Sequence, residues 1–302
     1  MHYSVRSHTR RIGRALALSA ILMMPTLHAA PSDPVVRMVD PQDTGAGISG
    51  GNGDHLVARS TGLESGYLVL FFPGTGASPD DYSILLQHAA KRGHHVIGLS
   101  YRNSNSVNFV YCPGQMQSNC PEEVRTEILT GQDTSPLIDV DEPNSAYGRL
   151  RSLLSYLKDQ YPAEQWGTFL NDDQIAWERI IVAGQSQGGG HAALSAKRHR
   201  VARAVLFSAT EPAPWTLDPS QTSADAFFAV VHQSELNATG IINSWERLGL
   251  PGELTHIDAL QPPYLGAHRL ATNRMDCGGD PDSTGFFHNC TSADDWLPTP
   301  RA

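Results

Sequence analysis

Ser186 stands near the middle of the run 179–193, RIIVAGQSQGGGHAA. A β-branched apolar segment, Ile180, Ile181 and Val182, stops at Gly184-Gln185-Ser186-Gln187-Gly188 and gives way to an alanine-rich segment. The pattern predicts strand, sharp turn and helix, with the serine at the tip. Such a turn cramps the serine backbone, so the residues two before and two after must lack a Cβ that would strike the strand or helix; Gly184 and Gly188 meet that need. The chemistry on offer is nucleophilic attack, with the N–H of Gln187 free at a helix N-terminus to stabilise an oxyanion. A serine hydroxyl is a poor nucleophile until a neutral imidazole takes its proton, and the imidazolium so formed needs a carboxylate to orient and stabilise it. The bland alternative is a turn whose serine merely caps the following helix. To do chemistry, the chain must also supply a base, an acid and a second oxyanion donor.

The elements that would position such groups are legible in outline. Residues 31–62 are rich in Gly, Asp and Ser and read as an arm with an early edge hairpin. Residues 67–72, YLVLFF, are apolar without a break, as in a strand buried on both faces. They end at Pro73-Gly74-Thr75-Gly76; Ser78 can cap a helix whose Tyr82, Leu85, Leu86 and Ala89 share one face, and 94–101, HHVIGLSY, is the next strand. Strand, glycine-rich turn, helix and strand make a βαβ unit and favour a parallel sheet. Residues 102–144 form a long excursion carrying Cys112 and Cys120, and Tyr147, Leu150, Leu153, Leu154, Leu157 and Tyr161 mark an amphipathic helix. After the serine come strand candidates at 204–207 and 226–231, a helix near 241–248 and a last short strand near 254–257. The expected fold class is α/β, with a mostly parallel, doubly wound sheet, helices on both faces and one domain over residues 30–302.

FFPGTGASPDDY, HHVIGLSYRN and GQSQGGGHAA resemble segments of a group of exported bacterial α/β-hydrolases, and the wider likeness to the α/β-hydrolase superfamily runs from about residue 67 to 270. The resemblance implies an α/β-hydrolase fold with nucleophile, acid and histidine in that chain order, the acid after a late strand and the histidine after the last one. Ser186, Glu235 and His268 fit as catalytic residues. Glu211, after the preceding strand, is the alternative acid. His288, between Cys277 and Cys290, is the alternative base, while His256 and His191 read as structural. The matching oxyanion donors are the N–H groups of Gln187 and Thr75. Tyr101, Tyr111, Trp215 and Tyr264, at or beyond strand ends, are candidates to line a pocket.

Arg6, Arg10, Arg11 and Arg14 precede an apolar run and a small-residue exit at Ala29-Ala30, the pattern of a secretory signal peptide over residues 1–29. Its loss takes the formal charge from −9 to −13, because four arginines and no acid leave with it. An acidic surface argues against nucleic acid or anionic membranes as partners, and no integral membrane segment is expected in the mature chain. Cys112, Cys120, Cys277 and Cys290 all fall in the exported part, where disulfides persist. Four cysteines allow three pairings; the local one, Cys112 with Cys120 and Cys277 with Cys290, needs least rearrangement, and without C-x-x-C or clustered histidine a metal site is not expected. The resemblance implies an exported, periplasmic or extracellular serine esterase that acts on a small-molecule or polymeric ester without a cofactor. Acyl transfer or peptidase activity on the same fold, or a secreted binding protein that lost the chemistry, are the alternatives.

Overall fold

The computed structural model describes Met1 and residues 33–62, 64–277 and 285–294. The chain divides into Met1–Ala30 and Pro31–Ala302, and all secondary structure among the described residues belongs to the second unit. The signal peptide expected over residues 1–29 falls, apart from Met1, outside the described residues.

The early segment supplies β1 (Val35–Val39) and β2 (His55–Arg59), paired antiparallel. Next come β3 (Leu68–Phe72), α1 (Ser83–Lys91) and β4 (His95–Gly98), the βαβ unit read from the sequence. The long excursion is not irregular throughout: it carries α2 (Cys120–Thr130) before α3 (Ala146–Gln160). A two-residue hairpin, β5 (Leu170–Asn171) and β6 (Gln174–Ile175), leads to β7 (Ile180–Gln185), α4 (Gln187–Arg198) and β8 (Arg203–Phe207). The chain closes with β9 (Phe227–His232), α5 (Ala238–Arg247), β10 (Leu254–His256), β11 (Arg269–Thr272) and the four-residue α6 (Phe286–Asn289).

Among the described residues nine strands form one sheet in the order β1-β2-β4-β3-β7-β8-β9-β11-β10. The pairings from β4 across to β10 are all parallel, and β2 joins β4 antiparallel. Successive side chains of a strand point to opposite faces, so β3 divides its apolar run: Leu68, Leu70 and Phe72 enter one core, Val69 and Phe71 the other. The first core takes the apolar faces of α2, α3, α4 and α5, whereas α1 covers the second through Leu86 and Ala90. Helices therefore lie on both faces, as expected, though unequally. The sequence placed the last strand at 254–257. The last strand is in fact β11, inserted between β9 and the edge strand β10.

Two fully buried histidines tie stability to pH. His55 Nδ1 accepts the Ser100 N–H at 3.0 Å, and burial, reinforced by Arg149, lowers its pKa to about 3. Burial, reinforced by Arg125, also holds His191 well below the ordinary range. Both are neutral in the folded protein, while the unfolded chain binds protons below about pH 6.5. Their contribution is complete above pH 6.5 and declines as the pH falls toward the folded values, by about 1.4 kcal/mol per pH unit for each group. Urea unfolding at pH 7.0 and 5.5 is expected to show a loss of a few kcal/mol at the lower pH. A flat profile contradicts the assignment.

Candidate active site

Ser186 adopts φ 54° and ψ −119°, the left-handed region that a non-glycine residue enters at a cost. β7 runs straight into it, α4 begins at the next residue, and the Ser186 N–H is anchored on Phe207 O of β8 at 2.8 Å. The turn closes so tightly that a Cβ on Gly188 would lie 1.9 Å from Phe72 O, and one on Gly184 would lie 2.4 Å from the Gly188 carbonyl carbon. Both obstacles are backbone, which cannot swing aside. The glycine requirement read from the motif is thus a matter of contact between β3, β7 and α4.

Glu235 lies three residues beyond the carboxyl end of β9 and is 9 % exposed. Its Oε1 contacts Nδ1 of His288 on α6, and the short linking turn is fixed by the Glu235 N–H donating to His232 O at 3.0 Å. Ser186, Glu235 and His288 line one cavity of about 570 Å³ together with Thr75 and Gln187. The acid and the histidine are 53 residues apart in sequence; β9 and β11 end side by side, and the Cys277–Cys290 bond ties the end of α6 to the segment after β11.

His268 is elsewhere, and the expectation placed on it needs correction. It precedes β11 instead of following the last strand, and its backbone carbonyl accepts the Ala229 N–H at 2.8 Å. Its ring stacks on Phe228 at 4.5 Å, and its Nδ1 meets Phe227 O at 2.9 Å. Phe227 opens β9 and Glu235 follows its far end, so His268 and Glu235 sit at opposite ends of the strands, roughly 17 Å of strand apart. Glu211 is also engaged otherwise: its carboxylate meets the Arg125 guanidinium at 2.6 Å, both side chains buried, with burial pushing the Glu211 carboxyl up and Arg125 opposing the rise. Arg125 further donates to Gln187 O at 2.9 Å, so this ion pair props the start of α4 from beneath. His191 is buried edge-on to Phe72 and Tyr101, the structural position expected for it.

The turn after β3 is braced on both sides. Asn103 Nδ2 donates to Gly74 O at 2.7 Å and to Ala77 O at 2.8 Å, and Asn52 Nδ2 donates to Gly76 O at 2.6 Å. The Gly74 N–H donates to the Tyr82 hydroxyl at 3.1 Å, and that hydroxyl donates to Gln185 Oε1 at 3.0 Å. Gln185 Nε2 in turn donates to His288 O at 3.3 Å. Burial pushes the Tyr82 hydroxyl up to about 12, which keeps its proton in this chain. One continuous relay therefore fixes the Thr75 turn, the residue before the serine and the backbone of the histidine. A Cβ on Gly74 would sit 2.2 Å from Gln185 Oε1 and would push that side chain out of the relay.

The disulfides are Cys112–Cys120 and Cys277–Cys290, the local pairing. The second closes two residues beyond His288 and joins α6 to the segment after β11. The expected pocket aromatics do not line the serine cavity. Tyr101 is buried with its hydroxyl on Pro73 O at 2.7 Å, Trp215 is buried, Tyr111 packs on the core and Tyr264 lines a separate cavity with Leu260 and Pro263. Phe109, Leu236 and Phe287 line it instead. Compared with protein-family models and with curated proteins, the chain matches none.

Proposed function

We propose that this protein is a serine hydrolase of the α/β-hydrolase type that cleaves carboxylic esters, with Ser186 as nucleophile, His288 as base and Glu235 as its carboxylate partner. The observation that carries the reading is the Glu235–His288 contact in the same cavity as a serine held at positive φ between strand and helix. The chain order serine, acid, histidine is that of α/β-hydrolases.

With Nδ1 engaged by Glu235, Nε2 is the ring nitrogen left to take the Ser186 proton. Oγ attacks the ester carbonyl, and the oxyanion is stabilised by the N–H groups of Gln187, at the start of α4, and Thr75, one such donor being worth about 3 kcal/mol. The imidazolium gives its proton to the departing alcohol, leaving an acyl group on Ser186. Water, deprotonated by the same imidazole, then releases the carboxylic acid and restores the serine. The relay through Tyr82 and Gln185 keeps donor turn and base in register. Two disulfides, and no helix among the described residues long and apolar enough to cross a membrane, are compatible with export.

Rapid mixing with excess p-nitrophenyl acetate checks the assignment. The wild type is expected to release p-nitrophenol catalytically, and Ser186→Ala to lose roughly 10⁴-fold or more in kcat. Equal turnover by both proteins contradicts it.

A further inference from the structure

Ser186, Thr75 and His288 line two cavities. The two differ in chemistry. On one side, the cavity of about 570 Å³ presents Phe109, Leu236 and Phe287 near the serine. Phe109 is 66 % exposed and Leu236 fully exposed, a cost that a ligand would relieve by covering them. The charged groups of this cavity are already paired, Glu235 with His288 and Arg125 with Glu211. Its wall is fixed to the catalytic turn, because the Val107 N–H, two residues before Phe109, donates to Gln187 Oε1 at 2.7 Å.

On the other side, a cavity of about 700 Å³ is walled by Asp80, Asp81, Tyr82, Gln185 and Asp294, with no Lys or Arg among its described lining residues. Asp81 accepts the Ser78 N–H at 2.7 Å and Asp294 accepts the Ile84 N–H at 2.9 Å, so both are held in place at the start of α1. This side suits water and hydroxyl groups and repels anions.

We infer that the substrate is an ester with a medium-length apolar acyl chain, seated against Phe109, Leu236 and Phe287, and a hydrophilic, non-anionic alcohol on the Asp80–Asp294 side. The inference rests on the serine-hydrolase reading. The orientation follows from the order of the reaction. The alcohol must leave and water must arrive beside His288 while the acyl group stays bonded to Ser186 Oγ. A hydrated exit for the alcohol and a dry seat for the acyl chain meet both needs, and the reverse arrangement would pass water through the apolar side. In the first step the ester C–O bond breaks as the Ser186 Oγ–C bond forms and the alcohol takes the serine proton. In the second, water supplies the hydroxyl of the acid and returns a proton to Oγ.

The test compares glycerol monooctanoate, glycerol monoacetate, octyl acetate and O-octanoylglycolate by pH-stat titration, alongside fluorophosphonate labelling of the same preparations. Glycerol monooctanoate is expected to exceed both glycerol monoacetate and octyl acetate by at least about tenfold in kcat/KM. It should exceed the anionic glycolate ester by about fivefold at low salt, and Asp80→Asn should narrow that gap. Phe109→Ala/Leu236→Ser, which alters only exposed side chains, is expected to shrink the octanoate-to-acetate ratio by about tenfold while Ser186 still accepts the label. Labelled Ser186 with octyl acetate as the better ester, or with no preference by acyl length, overturns the inference and leaves the hydrolase reading standing. Unlabelled Ser186 overturns both.

Discussion

His288→Ala is expected to lower kcat/KM for p-nitrophenyl acetate by roughly 10⁴-fold, while His268→Ala leaves it within about threefold of wild type. The two histidines differ in what they touch. His288 holds the Glu235 carboxylate on Nδ1 and lines the cavity of Ser186, whereas His268 stacks on Phe228 at the amino end of β9. In the proposed mechanism, removing His288 leaves Ser186 without a proton acceptor, and what persists is the stabilisation supplied by the oxyanion donors alone. Removing His268 deletes a ring from a half-buried stack and its contact with Phe227 O, a change of stability more than of chemistry. Glu235→Gln is expected to fall between the two, because the imidazole loses its partner charge and its tautomer is no longer held. Steady-state kinetics on the three variants, each checked by circular dichroism, separate these outcomes. Comparable losses in both histidine variants would contradict the placement.

The contrast also marks how far the sequence could be read. The strand before Ser186, the glycines around it, the βαβ unit and the amphipathic helix α3 all carry local patterns, and the structure has them within a few residues of the expected limits. Glu235 beyond β9 was legible for the same reason, since a six-residue apolar strand announces its own end. β11 was not, because RLAT is four residues long and opens on an arginine. With 254–257 read as the last strand, the histidine after it is His268, which the structure places at the amino ends of β9 and β11. His288 sits on a four-residue helix held by a disulfide and by contacts from Gln185 and Glu235, none of which leaves a periodic signal. Its place between two cysteines was the single available clue. α2 was hidden because Arg125 and Glu127 are buried within it, and buried charges break the apolar stripe by which an amphipathic helix is recognised. Glu127 turns inward to accept the N–H groups of Thr134, Ser135 and Val140, and Arg125 turns inward to Glu211 and Gln187.

Arg125→Met is expected to be among the most destabilising single substitutions in the chain, at about 3–5 kcal/mol. It strands the buried Glu211 carboxylate without its counter-charge and takes a donor from Gln187 O, directly beneath the start of α4. For a protein of this size the loss corresponds to a fall of roughly 10 °C in Tm. The companion variant Arg125→Met/Glu211→Leu removes both charges together, and much of the stability is expected to return, because the cost lies in the uncompensated carboxylate and not in the missing pair. Differential scanning calorimetry of the two variants reads this directly. A single variant as stable as wild type would show that the pair is not buried as described. Recovery in the double variant would further show that Glu211 is dispensable as an acid, provided ester turnover returns with the fold.

The central claim is that Ser186 is a nucleophile activated by His288. Mass spectrometry of the intact protein after exposure to a fluorophosphonate, followed by peptide mapping, tests it with least intervention. One adduct on Ser186 is expected in wild type and in His268→Ala, strongly slowed in His288→Ala and absent in Ser186→Ala. A folded wild type that takes no adduct, or one whose labelling depends on His268 and not on His288, would contradict the claim.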